Sequence, residues 1–318
     1  MNENKRYILQ ATNDQEYMGK GKLKDKPKKR LLGINRKKYE NGEKSRISYA
    51  SFDDPFFKRL LIEAIEFAFG RKKIENLLDE TKQLDLSEGK VWGIMKEKLE
   101  LDLDVDLNQL KKVSTDVPVI FIANHPFGVV DGVILGYLIS QVKSEFFILV
   151  NSVLTQEEAL QPYTLPIDFA ETKEAMMTNI QTRKDTMERI SKGEIMGVFP
   201  AGGVATAIPA FSKAEDLEWK RFVGKIIQQL KATVVPIYFH GQNSRWFQLA
   251  SSIHMNLRLA MFLNEVKNKI GKTLKITIGD PIPFEEMAHI KNRQALLDHL
   301  REVTLALGEG EAVSQKTA

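Results

Sequence analysis

From residue 117 onward the chain alternates short apolar runs with longer amphipathic ones. Val117–Ala123, Glu145–Val150, Ile195–Phe199, Thr233–Phe239 and Leu274–Ile278 are almost continuously apolar and rich in Val, Ile and Phe, the pattern of strands buried on both faces. Between and after them, Val129–Val142, Lys173–Lys192, Ala214–Lys231, Met255–Lys267 and Lys291–Leu307 carry helical patterns. Such alternation predicts an α/β fold with a mostly parallel central sheet flanked by helices. Upstream, Asp53-Asp54-Pro55 signals a helix start. The following Phe56–Phe69 has a broad apolar face, closed by Gly70-Arg71-Lys72-Lys73. That face suits a helix clamped in the core, with membrane contact at Phe56, Phe57 and Phe69 as the other reading. Shorter helices are expected over Lys73–Lys82 and Gly89–Leu99, the second anchored by Val91, Trp92 and Met95. The chain thus divides into a flexible tail (1–45), an N-terminal helical segment (46–115), an α/β domain (116–308) and a polar tail (309–318).

The strand ending at Ala123 runs into Asn124-His125-Pro126-Phe127-Gly128-Val129-Val130-Asp131-Gly132. Pro126 stops a regular continuation, so His125 falls just past a strand's carboxyl end, the edge where open α/β sheets bind ligands. A histidine there is suited to accept a proton near neutral pH. A carboxylate on its other ring nitrogen would fix the tautomer and stabilise the imidazolium, and Asp131 is the candidate. Along a regular helix, six residues separate two side chains by about 120°. The pair therefore requires irregular backbone between them, which Gly128 permits. A capping Asp beside an unreactive loop His is the plainer alternative.

A second strand ends in Phe199-Pro200-Ala201-Gly202-Gly203-Val204. Its glycines would let backbone N–H groups approach a ligand, as an oxyanion or anion site. Polar residues also close the other strands. These are Asn151, the segment Pro162–Phe169 with Asp168, and His240-Gly241-Gln242-Asn243-Ser244-Arg245. Arg245 is a candidate partner for a substrate carboxylate, and His240 reads as a hydrogen-bonded loop residue.

The segment Asn124–Gly132 resembles the first motif of the lysophospholipid acyltransferase superfamily, the glycerol-3-phosphate acyltransferase and PlsC-like enzymes. It is similar to the branch labelled hemolysin-like, which includes O-acyltransferases of lyso-ornithine and lyso-glycine lipids. That family's usual pattern has four residues between His and Asp, whereas this chain has five. Residues 199–204 line up with the family's Phe-Pro-Glu-Gly-Thr-Arg block, with Ala201, Gly203 and Val204 replacing Glu, Thr and Arg. The resemblance covers roughly residues 90–300. It implies His125 as base, Asp131 as its orienting partner, and an acyl thioester of acyl carrier protein or coenzyme A as donor. It also implies Asn124, Gly128, Asn151, Asp168, Pro200, Gly202, Gly203 and Arg245 around the substrates. The family Arg is associated with an acceptor phosphate, and Val204 cannot do that work. The expected acceptor is therefore a lyso-aminolipid, a 3-hydroxyacyl chain amide-linked to an amino acid. Lysophosphatidic acid is the alternative acceptor, and a non-enzymatic peripheral membrane protein on the same fold is a further alternative.

The 318 residues are 43% hydrophobic and 28% charged, an ordinary globular composition with room for a sizeable core. The absence of cysteine excludes disulfides and thiol nucleophiles. No metal-ligand spacing, Gly-x-Gly-x-x-Gly fingerprint or Walker loop is present, so neither a metal nor a cofactor is expected. No apolar stretch reaches the roughly 18–20 residues of a spanning helix, and Met1–Arg6 lacks the apolar stretch of a secretory signal. Charge is uneven: residues 1–45 hold 13 Lys/Arg against 6 Asp/Glu, net +7, leaving −3 elsewhere. A polybasic segment is attracted to anionic lipid, while a solvated tail fits as well. Nucleic acid is not expected without a binding motif. The expected location is cytoplasmic, peripheral on the inner face of the cytoplasmic membrane.

Overall fold

The computed structural model describes residues 89–151, 158–167, 173–207, 212–253 and 255–315. The basic stretch, the helices expected over Phe56–Phe69 and Lys73–Lys82, and Asp168 lie outside the described residues. Among the described residues seven strands form one sheet: β1 (Asp102–Asp104), β2 (Val119–Ala123), β3 (Phe146–Asn151), β4 (Thr164–Ile167), β5 (Ile195–Val198), β6 (Thr233–Phe239) and β7 (Thr273–Ile278). Their spatial order is β1-β7-β6-β2-β5-β3-β4. Every pair from β6 to β4 is parallel, as expected. β7 runs antiparallel to β6, and β1 joins β7 in parallel at the sheet edge.

The helices are α1 (Lys90–Lys98), α2 (Val129–Ser140), α3 (Lys173–Ser191), α4 (Arg221–Leu230), α5 (Arg245–Ile253), α6 (Met255–Lys269), α7 (Phe284–Met287) and α8 (Arg293–Gln315). The reversal of β7 follows from α5 and α6. One helix carries a chain from the carboxyl edge of a sheet back to the start of the next strand; two helices return it to the edge it left.

β2 lies at the centre because both its faces are apolar. Val119, Phe121 and Ala123 join the side chains of α1 and α2, including Trp92, Met95, Val133, Leu135 and Leu138. Ile120 and Ile122 join the opposite layer with Val223, Ile226 and Ile227 of α4 and Leu296, Leu297 and Leu300 of α8. This is period-two geometry with no solvent face, and each such fully buried side chain contributes about 1.5–3 kcal/mol. α2 approaches α1 so closely that a Cβ on Gly136 would lie 2.3 Å from the Trp92 ring.

Three local readings change. The helix expected over Ala214–Lys231 begins only at Arg221. Before it, Thr206 bridges Glu215, and Lys220 donates its N–H to the Pro200 carbonyl, so the chain is tied to the end of β5 instead of coiling. The last helix continues past Leu307 to Gln315, through Gly308, Gly310 and other residues expected to form a polar tail, a stretch that holds no proline. β4 is a strand despite Pro166, which an edge strand tolerates. Pro236 in the interior strand β6 falls between the β6–β7 ladder, which starts at Ile237, and the Val234–Ile282 bridge, and its carbonyl accepts the Gly279 N–H. No helix among the described residues is long and apolar enough to cross a membrane.

Candidate active site

β2 delivers its chain into the loop 124–128. Asn124 is buried and its amide imitates a peptide: Nδ2 donates to the Phe239 carbonyl at 2.9 Å and Oδ1 accepts the Phe239 N–H at 2.7 Å. A side chain thereby adds a rung to the β2–β6 ladder, and His125 is set beyond the sheet at a defined height. Gly128 has φ 83° and ψ −118°, a backbone region that side chains with a Cβ avoid. That residue turns the chain so that Asp131, in the first turn of α2, points back at the loop.

His125 Nδ1 lies 3.0 Å from Asp131 Oδ2. The same oxygen accepts the N–H groups of Phe127 at 2.7 Å and Gly128 at 3.0 Å. The pair thus meets through irregular backbone. Asp131 is fully buried, and its Oδ1 has no hydrogen-bond partner. Burial pushes its carboxyl above the usual carboxylate range, with the bonds from His125, Phe127 and Gly128 pulling the other way. The imidazole stacks on Phe199, ring centroids 4.0 Å apart and 20° between planes. Its side chain keeps 16% of its surface exposed.

The rest of His125 is held by groups that the sequence did not single out. Its N–H donates to Asp216 Oδ1 at 3.0 Å, and its carbonyl accepts the Ala205 N–H at 2.8 Å. Asp216 is buried, its Oδ2 accepts the Trp219 indole N–H at 2.8 Å, and Arg301 of α8 donates to its carbonyl. Burial also raises the Asp216 carboxyl above its ordinary value. Asp216 escaped sequence reading because it fell inside a stretch patterned like a helix; the Asp-x-x-Trp spacing carries no signal by itself. Lys269, at the end of α6, is 4.0 Å from the Phe127 ring centroid, and burial lowers its pKa. With backbone and Nδ1 engaged, Nε2 is the one polar atom of His125 without a partner among the described residues.

The Phe199–Val204 turn lies beside it. Gly202 donates its N–H to the Phe199 carbonyl, so that amide is consumed in the turn and is no free oxyanion donor. The N–H groups of Gly203 and Val204 have no acceptor among the described residues, while those of Ala205 and Thr206 are taken by His125 and Glu215. Pro200 is buried and contributes its carbonyl to Lys220. Asn151 ends β3 opposite Ile167. Arg245 is exposed at the start of α5, and His240 is a hydrogen-bonded residue, its Nε2 2.8 Å from Thr277 Oγ1. Among the described residues no group of three or more His, Cys, Asp or Glu could hold a metal.

A base with one free nitrogen, oriented by a buried carboxylate beside unpaired backbone donors, can activate a hydroxyl for attack on a carbonyl. A family model described as Acyltransferase matches residues 103–310. Two similar proteins are each named lyso-glycine lipid O-acyltransferase. The one from Phocaeicola vulgatus is 29% identical over 219 residues, 65% of this chain and 74% of that protein. The one from Bacteroides thetaiotaomicron has the same identity and spans 76% of that protein. The crystal structure of the 1-acyl-sn-glycerophosphate (LPA) acyltransferase PlsC from Thermotoga maritima is similar at TM-score 0.44 and 14% identity, over 80% of this chain and 96% of that one.

Proposed function

This chain belongs to the acyltransferase family, and on that premise we propose that it moves a fatty acyl group from an acyl thioester to the hydroxyl of a lyso-aminolipid such as lyso-glycine lipid. The observation that carries the mechanism is His125 itself: fixed through its N–H, carbonyl and Nδ1, it offers only Nε2. In this reaction Nε2 takes the proton of the acceptor hydroxyl as its oxygen bonds to the thioester carbon. Negative charge gathers on the carbonyl oxygen, and the N–H groups of Gly203 and Val204 are the candidate donors to it. The C–S bond then breaks, and the imidazolium returns the proton to the departing thiolate. Asp131 holds the tautomer and offsets the imidazolium charge. No metal or cofactor takes part in this scheme.

The acceptor is supported by the names of the two relatives and by Val204, a buried aliphatic residue unable to bind phosphate. Acyl carrier protein or coenzyme A is the proposed donor carrier. A lipid acceptor calls for work at a membrane surface, with the polybasic stretch drawn to anionic lipid. The test is lipidomics of a bacterial host supplied with an N-acyl-amino-acid synthase and expressing this chain or its His125→Ala form. New diacylated aminolipid with the unsubstituted chain alone is expected. Rescue of a strain deficient in lysophosphatidic acid acylation, without new aminolipid, would replace this reading with phospholipid synthesis.

A further inference from the structure

Arg258 lies in the first turn of α6, where a cation faces the positive end of the helix dipole. Its guanidinium is half-buried, packs 5.7 Å from the Phe247 ring centroid, and donates from Nη2 to the Val204 carbonyl at 2.9 Å. No carboxylate pairs with it among the described residues, whose ion pairs lie elsewhere. A guanidinium has five N–H donors and stays charged, so one neutral carbonyl leaves most of its capacity unused. Burial also weighs against its charged form. Everything about this side chain except its hydrogen-bond partner suits an anion.

Its position sets how far it lies from the base. The Val204 carbonyl and the Ala205 N–H belong to one peptide group, and that N–H donates to the His125 carbonyl. A single peptide plane therefore separates Arg258 from the backbone of His125, and Nη2 is no more than roughly 8 Å from the carbonyl oxygen of that residue. In an N-(3-hydroxyacyl)glycine, six bonds separate the hydroxyl oxygen from the carboxylate carbon, a span of roughly 7 Å when extended. We propose that Arg258 holds the free carboxylate of the acceptor, bidentately, while the acceptor's hydroxyl meets His125. The flat guanidinium fork matches a carboxylate in a way that a lone ammonium does not. This assignment rests on the lyso-aminolipid reading and gives it a head-group contact built from α6, away from the exposed Arg245.

The experiment compares two acceptors with the purified full chain and an acyl-CoA or acyl carrier protein donor: an N-(3-hydroxyacyl)glycine and its neutral glycinamide. The unsubstituted chain should favour the acid, and Arg258→Gln should lower kcat/KM for the acid by roughly 10- to 100-fold, mostly through KM. The glycinamide should lose less than the acid, so the variant distinguishes the two less well. Arg258→Lys should recover part of the preference. If Arg258→Gln still favours the acid as strongly, or Arg245→Gln alone abolishes the preference, the assignment is overturned. Equal loss of both acceptors in the Gln and Lys variants gives Arg258 a structural role and overturns it too. A chain that acylates neither acceptor with either donor overturns the functional reading and this inference together, an outcome distinct from active enzyme with unaltered preference.

Discussion

Replacing Asp131 by Asn or by Ala should separate catalysis from folding. In Asp131→Asn the amide oxygen can still accept from His125 Nδ1, Phe127 N–H and Gly128 N–H, so none of these three donors is orphaned. The new NH2 takes the place of Oδ1, which has no partner, at a cost of about 1–3 kcal/mol. Against this, a fully buried carboxylate no longer has to be desolvated, a gain of similar size. The two effects oppose, and stability at pH 7 should stay within about 1 kcal/mol of the unsubstituted protein. Asp131→Ala leaves two buried N–H groups unpaired and should cost about 2–5 kcal/mol. Both variants lose the charge that steadies the imidazolium, and kcat/KM should fall by about 10²–10⁴, or roughly 3–5 kcal/mol of transition-state stabilisation.

The pH dependence has a definite sign. The folded carboxyl is held above its ordinary 3.8, so the folded protein keeps this proton to higher pH than the unfolded chain does. Its contribution to stability is complete below 3.8 and is lost as pH rises through the folded value. Asp131→Asn lacks that loss, so its stability relative to the unsubstituted protein should improve from pH 3 toward pH 7, an interval of about 4 pH units. Thermal unfolding followed by circular dichroism across that range, with acyl-transfer kinetics on the same samples, measures both quantities. An Asn variant with kcat/KM within about tenfold of the unsubstituted enzyme would refute the role of Asp131. An Asn variant as unstable as the Ala variant would refute the bond accounting.

Asp216→Ala removes the acceptor for the His125 N–H and the Trp219 indole; thermal unfolding should show a loss of about 1–3 kcal/mol, with kcat/KM reduced about 10- to 100-fold. Gly136→Ala presses a methyl group into the Trp92 ring and should lower stability by about 1–3 kcal/mol by denaturant titration, with activity per folded molecule unchanged.

The centre of the fold was legible because β2, β3, β5 and β6 are almost wholly apolar, a pattern that leaves no other place for them than the middle of a covered sheet. The base and its carboxylate were legible because a proline and a glycine mark the loop that joins them. What stayed hidden depends on contacts distant in sequence. Asp216 reads like a polar residue in a helical stretch until the chain around it is pinned to Pro200 and His125. β1 and β4 are short edge strands whose pairing, not their composition, makes them strands. Asn124 looked like a ligand contact, and its amide is instead engaged with the backbone of Phe239. The Gly202 amide similarly disappears into its own turn, moving the free backbone donors to Gly203 and Val204.

The rung that Asn124 adds to β6 also has a temporal consequence. His125 is seated by Phe239, through Asn124, and by Asp216, partners 115 and 91 residues away from the residues they bind. During synthesis the reactive histidine therefore leaves the ribosome roughly a hundred residues ahead of these two partners. Contacts of such long sequence separation form late, after costly loop closures. Enzymatic competence should thus arrive with the last stages of refolding and lag the gain of helical signal, so no early, half-formed species should transfer acyl groups.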